Sequence, residues 1–297
     1  MSGITLFCKS YRNDLERAVS LVESIRTFNR SSLPLSISVP LTDLALFKNR
    51  IGTEDVQWLT DEDIISADPE LSINSYHALP GQLSQQIVKA EFWRANALSS
   101  CLCIDSDSIF IRDFDWTDFL YAGDIPYTVM HEGKAFHEFC MSNGVSHAVK
   151  TLISTQEEFR GMFVRKGPLY NFGPFPVTWH RSVWEDLSEQ FLKPRNMTIA
   201  EAIRLHPSEA FWYGEALLKY HSIPIVPREP FFKAYLYLEE YEHDKDRGVT
   251  HEMLSTIYSG IVYQSNWHPK RLKGIKNIAY KYKKAIRGIG QVLRFKT

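Results

Sequence analysis

The chain has 297 residues, of which 44% are hydrophobic and 23% charged, and its formal net charge at pH 7 is −1. A chain of this length and composition can bury a large core, which excludes an intrinsically disordered protein. The charge is unevenly spread, because residues 269–297 hold ten Lys and Arg and no acid, whereas residues 1–268, with 24 basic and 35 acidic residues, carry −11. An acidic body of this kind argues against nucleic-acid binding.

The cysteines and the N-terminus indicate where in the cell the protein is located. Cys101 and Cys103 alternate within an apparent strand, and the four cysteines do not have the spacing of a zinc site, so reduced buried thiols are expected. The N-terminus lacks a basic region followed by an apolar stretch, and the sequence has no run of about 18 apolar residues. We therefore expect a cytoplasmic protein.

The first part of the chain alternates predicted strands and helices. Short apolar runs predict strands at residues 4–8, 35–39, 56–59 and 101–104. Leu15, Ala18 and Val22, spaced three and four apart, predict a helix after the first strand, and Pro80-Gly81 opens a second helix. This alternation is typical of a parallel α/β sheet.

Further along the chain the signals are more varied. The pattern predicts a strand at 175–179, helices at 181–191 and 208–220, and a proline-interrupted strand at 223–226. Residues 131–166 mix helical and loop signals. No internal repeat or low-complexity linker is present, so we expect one domain, 1–268, followed by a basic tail, 269–297.

The polar cluster Asp105-Ser106-Asp107 directly follows the fourth predicted strand. In open α/β sheets, ligands bind beyond the carboxyl ends of the strands. Two carboxylates one residue apart supply hard oxygen ligands for Mg²⁺ or Mn²⁺, ions that bridge phosphate oxygens. The tripeptide alone also fits an ordinary solvated turn, but its position between the apolar segments CLCI and IFI favours a metal site.

A basic residue lies on the helix that precedes this strand. Four side chains spaced four, three and four apart share one face of that helix: Gln82, Gln86, Lys89 and Trp93. A cation on this face can reach a sugar or a diphosphate. A solvated lysine on a helix surface is the alternative.

The segment CLCIDSDSIFIRDF resembles the hydrophobic strand and Asp-x-Asp motif of GT-A-fold glycosyltransferases, which have a Rossmann-like α/β fold with a central, mostly parallel sheet flanked by helices. In the group that includes glycogenin and the bacterial lipopolysaccharide galactosyl- and glucosyltransferases, a basic residue precedes this strand, where Lys89 lies. The order of KSYRNDL, QQIVKAEFW and CIDSDSIFIRDF is also similar to a bacterial family described as glycosyltransferases.

This resemblance implies a hexosyltransferase that depends on Mn²⁺ or Mg²⁺ and moves a sugar from a nucleotide sugar, most simply a UDP-sugar, to a glycan or lipid-linked acceptor. Bacterial surface polysaccharide or lipopolysaccharide synthesis is the implied setting. Similarity to the glycogenin group favours retention of configuration, whereas an inverting enzyme would use Glu209 or another carboxylate as general base.

The resemblance also implies roles for individual residues. Asp105 and Asp107 are the expected metal ligands, with His268 as the third, although the spacing in WHPKRLKG is not the family's. Glu209, in HPSEAF, stands where the family has an acidic residue, and we expect it and Asp107 to be catalytic. For Glu209 the alternative is stabilisation of a helix that Ser208 caps.

The expected substrate contacts come from several segments. Asn171 and Gly173 in YNFGPF match the family's Asn-x-Gly element, although a simple turn also explains them. The residues after the first strand, Tyr11 above all, are candidates for the nucleotide base. The other candidate substrate-binding residues are Ser10, Arg12, Asp61, Gln86, Lys89, Ser106, Trp212 and Lys270.

In the basic tail, apolar residues recur every three or four positions between Lys and Arg. This is the pattern of an amphipathic helix on an anionic membrane, which would place the protein at the inner face of the membrane, or of a helix packed on the domain.

Three other functions fit parts of this sequence. A haloacid-dehalogenase-like phosphatase also places Asp-x-Asp after an apolar strand, but near the N-terminus. A sugar nucleotidyltransferase would have a glycine-rich loop after the first strand, which CKSYRNDL lacks. A non-catalytic protein that binds sugar nucleotides remains the third alternative.

Overall fold

The computed structural model describes residues 3–144 and 146–265. The strands are β1 Ile4–Lys9, β2 Leu35–Val39, β3 Val56–Thr60, β4 Ser100–Asp105, β5 Ser108–Phe110, β6 Leu120–Ala122, β7 Ile125–Pro126, β8 Thr128–Val129, β9 Val177–His180, β10 Pro227–Arg228, β11 Phe232–Tyr235 and β12 Gly260–Tyr263. The helices are α1 Leu15–Phe28, α2 Leu44–Ile51, α3 Asp61–Ser66, α4 Ile73–His77, α5 Gly81–Ala95, α6 Lys134–Ser142, α7 Ser146–Met162, α8 Arg181–Asp186, α9 Ile199–Leu205, α10 Glu209–Tyr220, α11 Leu238–Asp246 and α12 His251–Ser255.

The central sheet has the strand order β3-β2-β1-β4-β9. Its first four strands are parallel, and β9 runs antiparallel to β4. Every residue of β1 and β2 is buried, which fits strands covered on both faces. The predicted α/β class with a central, mostly parallel sheet flanked by helices is confirmed.

Helix α5 is held firmly against this sheet. Its residues from Gln86 to Phe92 are all buried, and the Phe92 ring stacks on that of Phe7 in β1 with the ring centroids 3.7 Å apart. Helices α3 and α9 pack on it. A helix buried on nearly all sides has a fixed position, so the side chains of α5 point in fixed directions.

A second sheet begins directly after the Asp-Ser-Asp cluster. Its strand order is β11-β12-β5, with β12 antiparallel to β5. Strand β5 starts at Ser108, one residue beyond Asp107, so the cluster joins the two sheets. The turn is therefore fixed on both sides by hydrogen-bonded strands.

The structure corrects two sequence expectations and resolves one ambiguous region. Residues 223–226 form no strand, because Pro224 cannot donate to a ladder, and the short β10 begins only at Pro227. The helix expected at 181–191 ends its α-helical part at Asp186 and continues with wider winding over Leu187–Leu192. The ambiguous region 131–166 contains α6 and α7.

Residues 266–297 lie outside the described residues. The expected metal ligand His268, the expected contact Lys270 and the amphipathic tail 269–297 belong to this part of the chain. Over 3–144 and 146–265, no helix has the length and apolar character needed to span a membrane.

Candidate functional site

The candidate site lies where parallel strands β1, β3 and β4 end. Strand β4 ends at Asp105 and its register pairs this residue with Lys9, the last residue of β1. Asp61 follows β3 directly. The carboxyl ends of neighbouring parallel strands thus bring charged residues together at one edge of the sheet, where α/β proteins bind ligands.

A buried lysine connects two carboxylates at this edge. The Lys89 Nζ lies 2.5 Å from Asp105 Oδ1 and 3.4 Å from Glu209 Oε1. The side chains of Lys89 and Glu209 are only 4% and 7% exposed, whereas that of Asp105 is 34% exposed. The Lys89 ammonium also lies 4.1 Å from the centroid of the Phe175 ring. Lys89 is therefore an internal counter-ion and not a solvated surface lysine.

The two helices that deliver these side chains explain the arrangement. Lys89 lies in the buried stretch of α5, and Glu209 is the first residue of α10, which Ser208 caps by accepting a hydrogen bond from the Phe211 amide. Burial would lower the pKa of Lys89, but the charges of Asp105 and Glu209 outweigh it and raise that pKa. Burial raises the pKa of Glu209, and the Lys89 charge opposes this shift.

Asp107 has one carboxylate oxygen satisfied and one free. Its Oδ2 accepts a hydrogen bond of 2.9 Å from the Ser265 amide, and its backbone oxygen accepts one from the Tyr263 amide. Its Oδ1 is buried and has no hydrogen-bond donor among the described residues. Burial, and then the nearby charge of Asp105, raise the pKa of Asp107 to about 6.

These two aspartates fit a divalent cation. A buried carboxylate oxygen without a donor is an unfavourable arrangement that a bound ion would relieve, and the partly exposed Asp105 leaves the site open to solvent. Within 3–144 and 146–265, no group of three or more His, Cys, Asp or Glu side chains is arranged to hold a metal. A divalent cation here would take two ligands from Asp105 and Asp107, and further ones from outside the described residues or from a ligand's own oxygens.

Two other expected contacts are buried with unsatisfied polar atoms. Ser10 Oγ, just after β1, and Gln86 Oε1, on α5, have no hydrogen-bond partner among the described residues. Both residues are under 10% exposed. Ser106, between the two aspartates, is buried as well. A buried polar atom without a hydrogen-bond partner is unfavourable, so Ser10 Oγ and Gln86 Oε1 are candidates for binding a polar group of a ligand.

Tyr11 and Arg12, which follow Ser10, differ in how free their side chains are to contact a ligand. Tyr11 is 43% exposed and free to stack on a flat ring. The Arg12 guanidinium is bound to Asp43, with its Nε 2.8 Å from Asp43 Oδ1 and its Nη2 2.6 Å from the same oxygen. Since the Arg12 side chain is 60% exposed, it lies at the rim of the site.

Asp61 does not have the role expected of it. Its side chain is 1% exposed, and both oxygens are engaged: Oδ1 by the Ser38 hydroxyl at 2.6 Å, and Oδ2 by the Tyr76 hydroxyl at 3.0 Å and Lys9 Nζ at 2.9 Å. Burial raises the pKa of Asp61. This carboxylate ties β1, β2 and α4 together, so its oxygens are engaged by the protein's own side chains and are not free for a ligand.

Trp212, another expected substrate contact, lies in the core and cannot reach a ligand. Its side chain is fully buried, it packs edge-on against Phe159 and Phe163, and its Nε1 donates to the His206 carbonyl oxygen at 3.0 Å. With every face covered by protein and its only donor satisfied, it stabilises the core of α10. The aromatic character of HPSEAFW reflects packing at this position.

Asn171 and Gly173 belong to a short structured turn. Asn171 forms an isolated bridge with His131, and its Oδ1 accepts a 3.1 Å hydrogen bond from the Gly173 amide. His131 Nε2 contacts the Gly173 carbonyl oxygen at 2.6 Å, and its Nδ1 accepts a hydrogen bond from the Gly133 amide at 3.1 Å. Gly173 has no positive φ, so the turn does not require a glycine there.

Sequence reasoning missed several residues of this region. Lys9, His131 and Phe175 contact expected site residues but were not singled out. A lysine that ends an otherwise apolar strand is the signal that could have revealed Lys9, because a buried charge needs a partner. His131 and Phe175 had no local signal.

Comparison with known proteins gives a family without an assigned function. The model of a family of unknown function, DUF6492, matches residues 3–196, and the chain belongs to that family. No curated protein matches the chain. Among solved structures, the crystal structure of mouse Xyloside xylosyltransferase 1 in its apo form is similar, with 9% sequence identity, a TM-score of 0.46, and coverage of 89% of this chain and 98% of that chain.

Proposed function

We propose that the protein is a metal-dependent glycosyltransferase that uses a nucleotide sugar. The observation that carries this proposal is the group of charges at the edge of the sheet: Asp105 partly exposed, Asp107 with a buried oxygen that lacks a donor, and the buried pair of Lys89 and Glu209 beside them. The two aspartates would hold Mn²⁺ or Mg²⁺, which stabilises the negative charge that develops on a departing diphosphate.

The other side chains of the site would bind the substrate and assist the transfer. Lys89 holds Asp105 and Glu209 in place and provides positive charge next to the aspartates. Glu209 contributes a carboxylate whose raised pKa suits it to bind a sugar hydroxyl or to accept its proton. Ser10 Oγ, which has no hydrogen-bond partner among the described residues, and the exposed ring of Tyr11 would contact the ribose and base of a nucleotide, and Asn171 would contact the sugar.

The finer features of the activity follow from the resemblance noted above. We propose a UDP-sugar donor, a glycan or lipid-linked acceptor, retention of configuration and a role in bacterial surface polysaccharide or lipopolysaccharide synthesis. His268 and Lys270 remain the proposed third metal ligand and phosphate contact. We further propose a cytoplasmic protein whose basic tail, 269–297, binds the inner face of the membrane.

The decisive experiment measures binding and hydrolysis of a panel of UDP- and GDP-sugars with Mn²⁺ or Mg²⁺. An Asp105→Ala/Asp107→Ala variant is compared with wild type, and Asp113→Ala serves as control, because Asp113 is a surface aspartate 58% exposed and paired with Arg30. We expect metal-dependent binding of one donor, lost in the double variant and kept in the control. Absence of binding to every donor, together with phosphate release from small phosphoesters, would replace the proposal with a phosphatase.

A further inference from the structure

A cavity of about 820 Å³ lies beside the charged site. It is lined by residues 130–136 and 139, by Tyr170 and Pro174, and by segments of 227–244 together with Tyr258. Its volume falls in the range of pockets that bind small molecules. The proposed donor site leaves this space unused, because none of Asp105, Asp107, Lys89 and Glu209 lines it.

The cavity and the charged site are linked by two adjacent residues, Pro174 and Phe175. Pro174 lines the cavity, and the next residue, Phe175, packs its ring 4.1 Å from Lys89 Nζ. His131 also lines the cavity and contacts the carbonyl oxygen of Gly173. A molecule in the cavity would therefore contact Pro174, whose neighbour in sequence, Phe175, packs against the ammonium that holds Asp105 and Glu209.

The cavity has an aromatic wall that is held in place. Phe136 and Phe139, three residues apart on α6, face the same side of the helix, and their rings stack on Tyr237 with centroids 6.4 Å and 5.7 Å away. Tyr170 and Tyr258 also line the cavity. Fixed aromatic rings offer a flat, apolar surface to a ligand at little entropic cost.

The charged groups of the cavity do not favour an anion. The two lysines in the lining already have carboxylate partners: Lys134 Nζ lies 3.1 Å from Glu132, and Lys233 Nζ lies 3.6 Å from Asp244. Two further acids, Glu229 and Glu240, complete a lining in which carboxylates outnumber lysines. An anionic ligand would meet net negative charge, whereas the hydroxyl groups of a neutral ligand can donate to these carboxylates.

We propose that this cavity binds the acceptor, and that the acceptor presents a neutral oligosaccharide to it. The C–H faces of neutral sugar rings pack on Phe136 and Phe139, and their hydroxyl groups donate to the carboxylates of the lining. The proposal rests on the proposed function, since it places the saccharide that receives the transferred sugar beside the donor site. Pro174 in the cavity lining and Phe175 against Lys89 connect the proposed acceptor site to the donor site through two adjacent residues.

The test uses the full chain and saturation-transfer NMR with neutral disaccharides (lactose, cellobiose, N,N′-diacetylchitobiose) and with disaccharides that contain a uronic acid. Binding of Mn²⁺ and UDP is measured separately by calorimetry. Phe139→Ala should weaken binding of the neutral sugar about tenfold. Tyr121→Ala, which removes an aromatic ring 61% exposed and outside the cavity lining, should leave it unchanged.

Phe139 lies on α6, so Phe139→Ala could weaken binding by disturbing that helix. A second variant outside α6 avoids this problem. Glu229→Lys replaces an exposed lining residue and should raise binding of the uronic-acid sugar several-fold relative to the neutral one. If no neutral disaccharide binds while Mn²⁺-UDP binds normally, the cavity proposal is overturned and the proposed function stands. Saccharide binding without any nucleotide binding would instead overturn the proposed function. Preference of the wild type for the anionic sugars would also overturn the proposal.

Discussion

Replacing Lys89 with methionine should be one of the most costly single changes in this protein. The substitution keeps a long side chain in α5 but removes the ammonium that lies 2.5 Å from Asp105 and 3.4 Å from Glu209. Asp105 is partly exposed and can be solvated, whereas the Glu209 side chain, 7% exposed, would remain as a buried and unpaired charge. Breaking a buried pair in this way destabilises a fold by about 3 kcal/mol at pH 7.

The stability lost in Lys89→Met should depend on pH, and the burial of Glu209 determines the direction of that dependence. Burial already raises the folded-state pKa of Glu209, and without the Lys89 charge that opposes this shift the pKa rises further above its unfolded value. Below the unfolded pKa the carboxyl is protonated in both states and carries no penalty. The penalty then grows as pH rises through the raised folded-state pKa. The difference in unfolding free energy between variant and wild type should therefore shrink to about 1 kcal/mol at pH 5.

Urea denaturation at pH 7 and pH 5, in EDTA, measures this difference. A matched control is Lys193→Met, because Lys193 Nζ lies at the same 2.5 Å from Glu189 but both side chains are about half exposed, and little change is expected. Adding Glu209→Gln to Lys89→Met should recover most of the lost stability at pH 7. Equal losses at both pH values, or no recovery on adding Glu209→Gln, would refute the assignment of Lys89 as counter-ion to a buried carboxylate.

Three further predictions concern the aspartate site and the second sheet. Mn²⁺ affinity, measured by calorimetry, should rise as pH increases through about 6 and then level off, because Asp107 must lose its proton to bind a metal; a flat profile between pH 5 and 8 would contradict this. Because the folded-state pKa of Asp107 is raised, its contribution to stability is present below its unfolded pKa and is lost as pH rises through about 6. Asp107→Asn, measured in EDTA, should therefore stabilise the protein by about 1 kcal/mol at pH 7.5 and have no such effect at pH 4. Gly260→Ala should destabilise by about 2 kcal/mol or more in thermal unfolding, because the added Cβ would overlap the Phe232 ring and the Ile109 carbonyl oxygen, whereas Gly81→Ala has open space and should be neutral or stabilising.

Much of the first half of the fold could be predicted from the sequence. The strand at 35–39 has the expected bounds, and the helix after Pro80 runs over Gly81–Ala95 as the pattern indicates. Ser208 caps α10 as expected of a serine before an acidic helix start. The short strands β11 and β12 were missed because each is four residues long and neither has a clear apolar alternation.

The sequence by itself determined the alternating strands and helices and the position of Asp105 and Asp107 at the end of a buried strand, because local hydrophobic periodicity reports which residues are buried. Only the tertiary structure decided which distant charges meet. Lys89 and Glu209 lie on different helices, 120 residues apart, and their contact depends on how α5 and α10 pack on the sheet. Tertiary packing also brings Asp61 to Lys9 and buries Trp212, because a side chain's partners are neighbours in space that no local sequence pattern records.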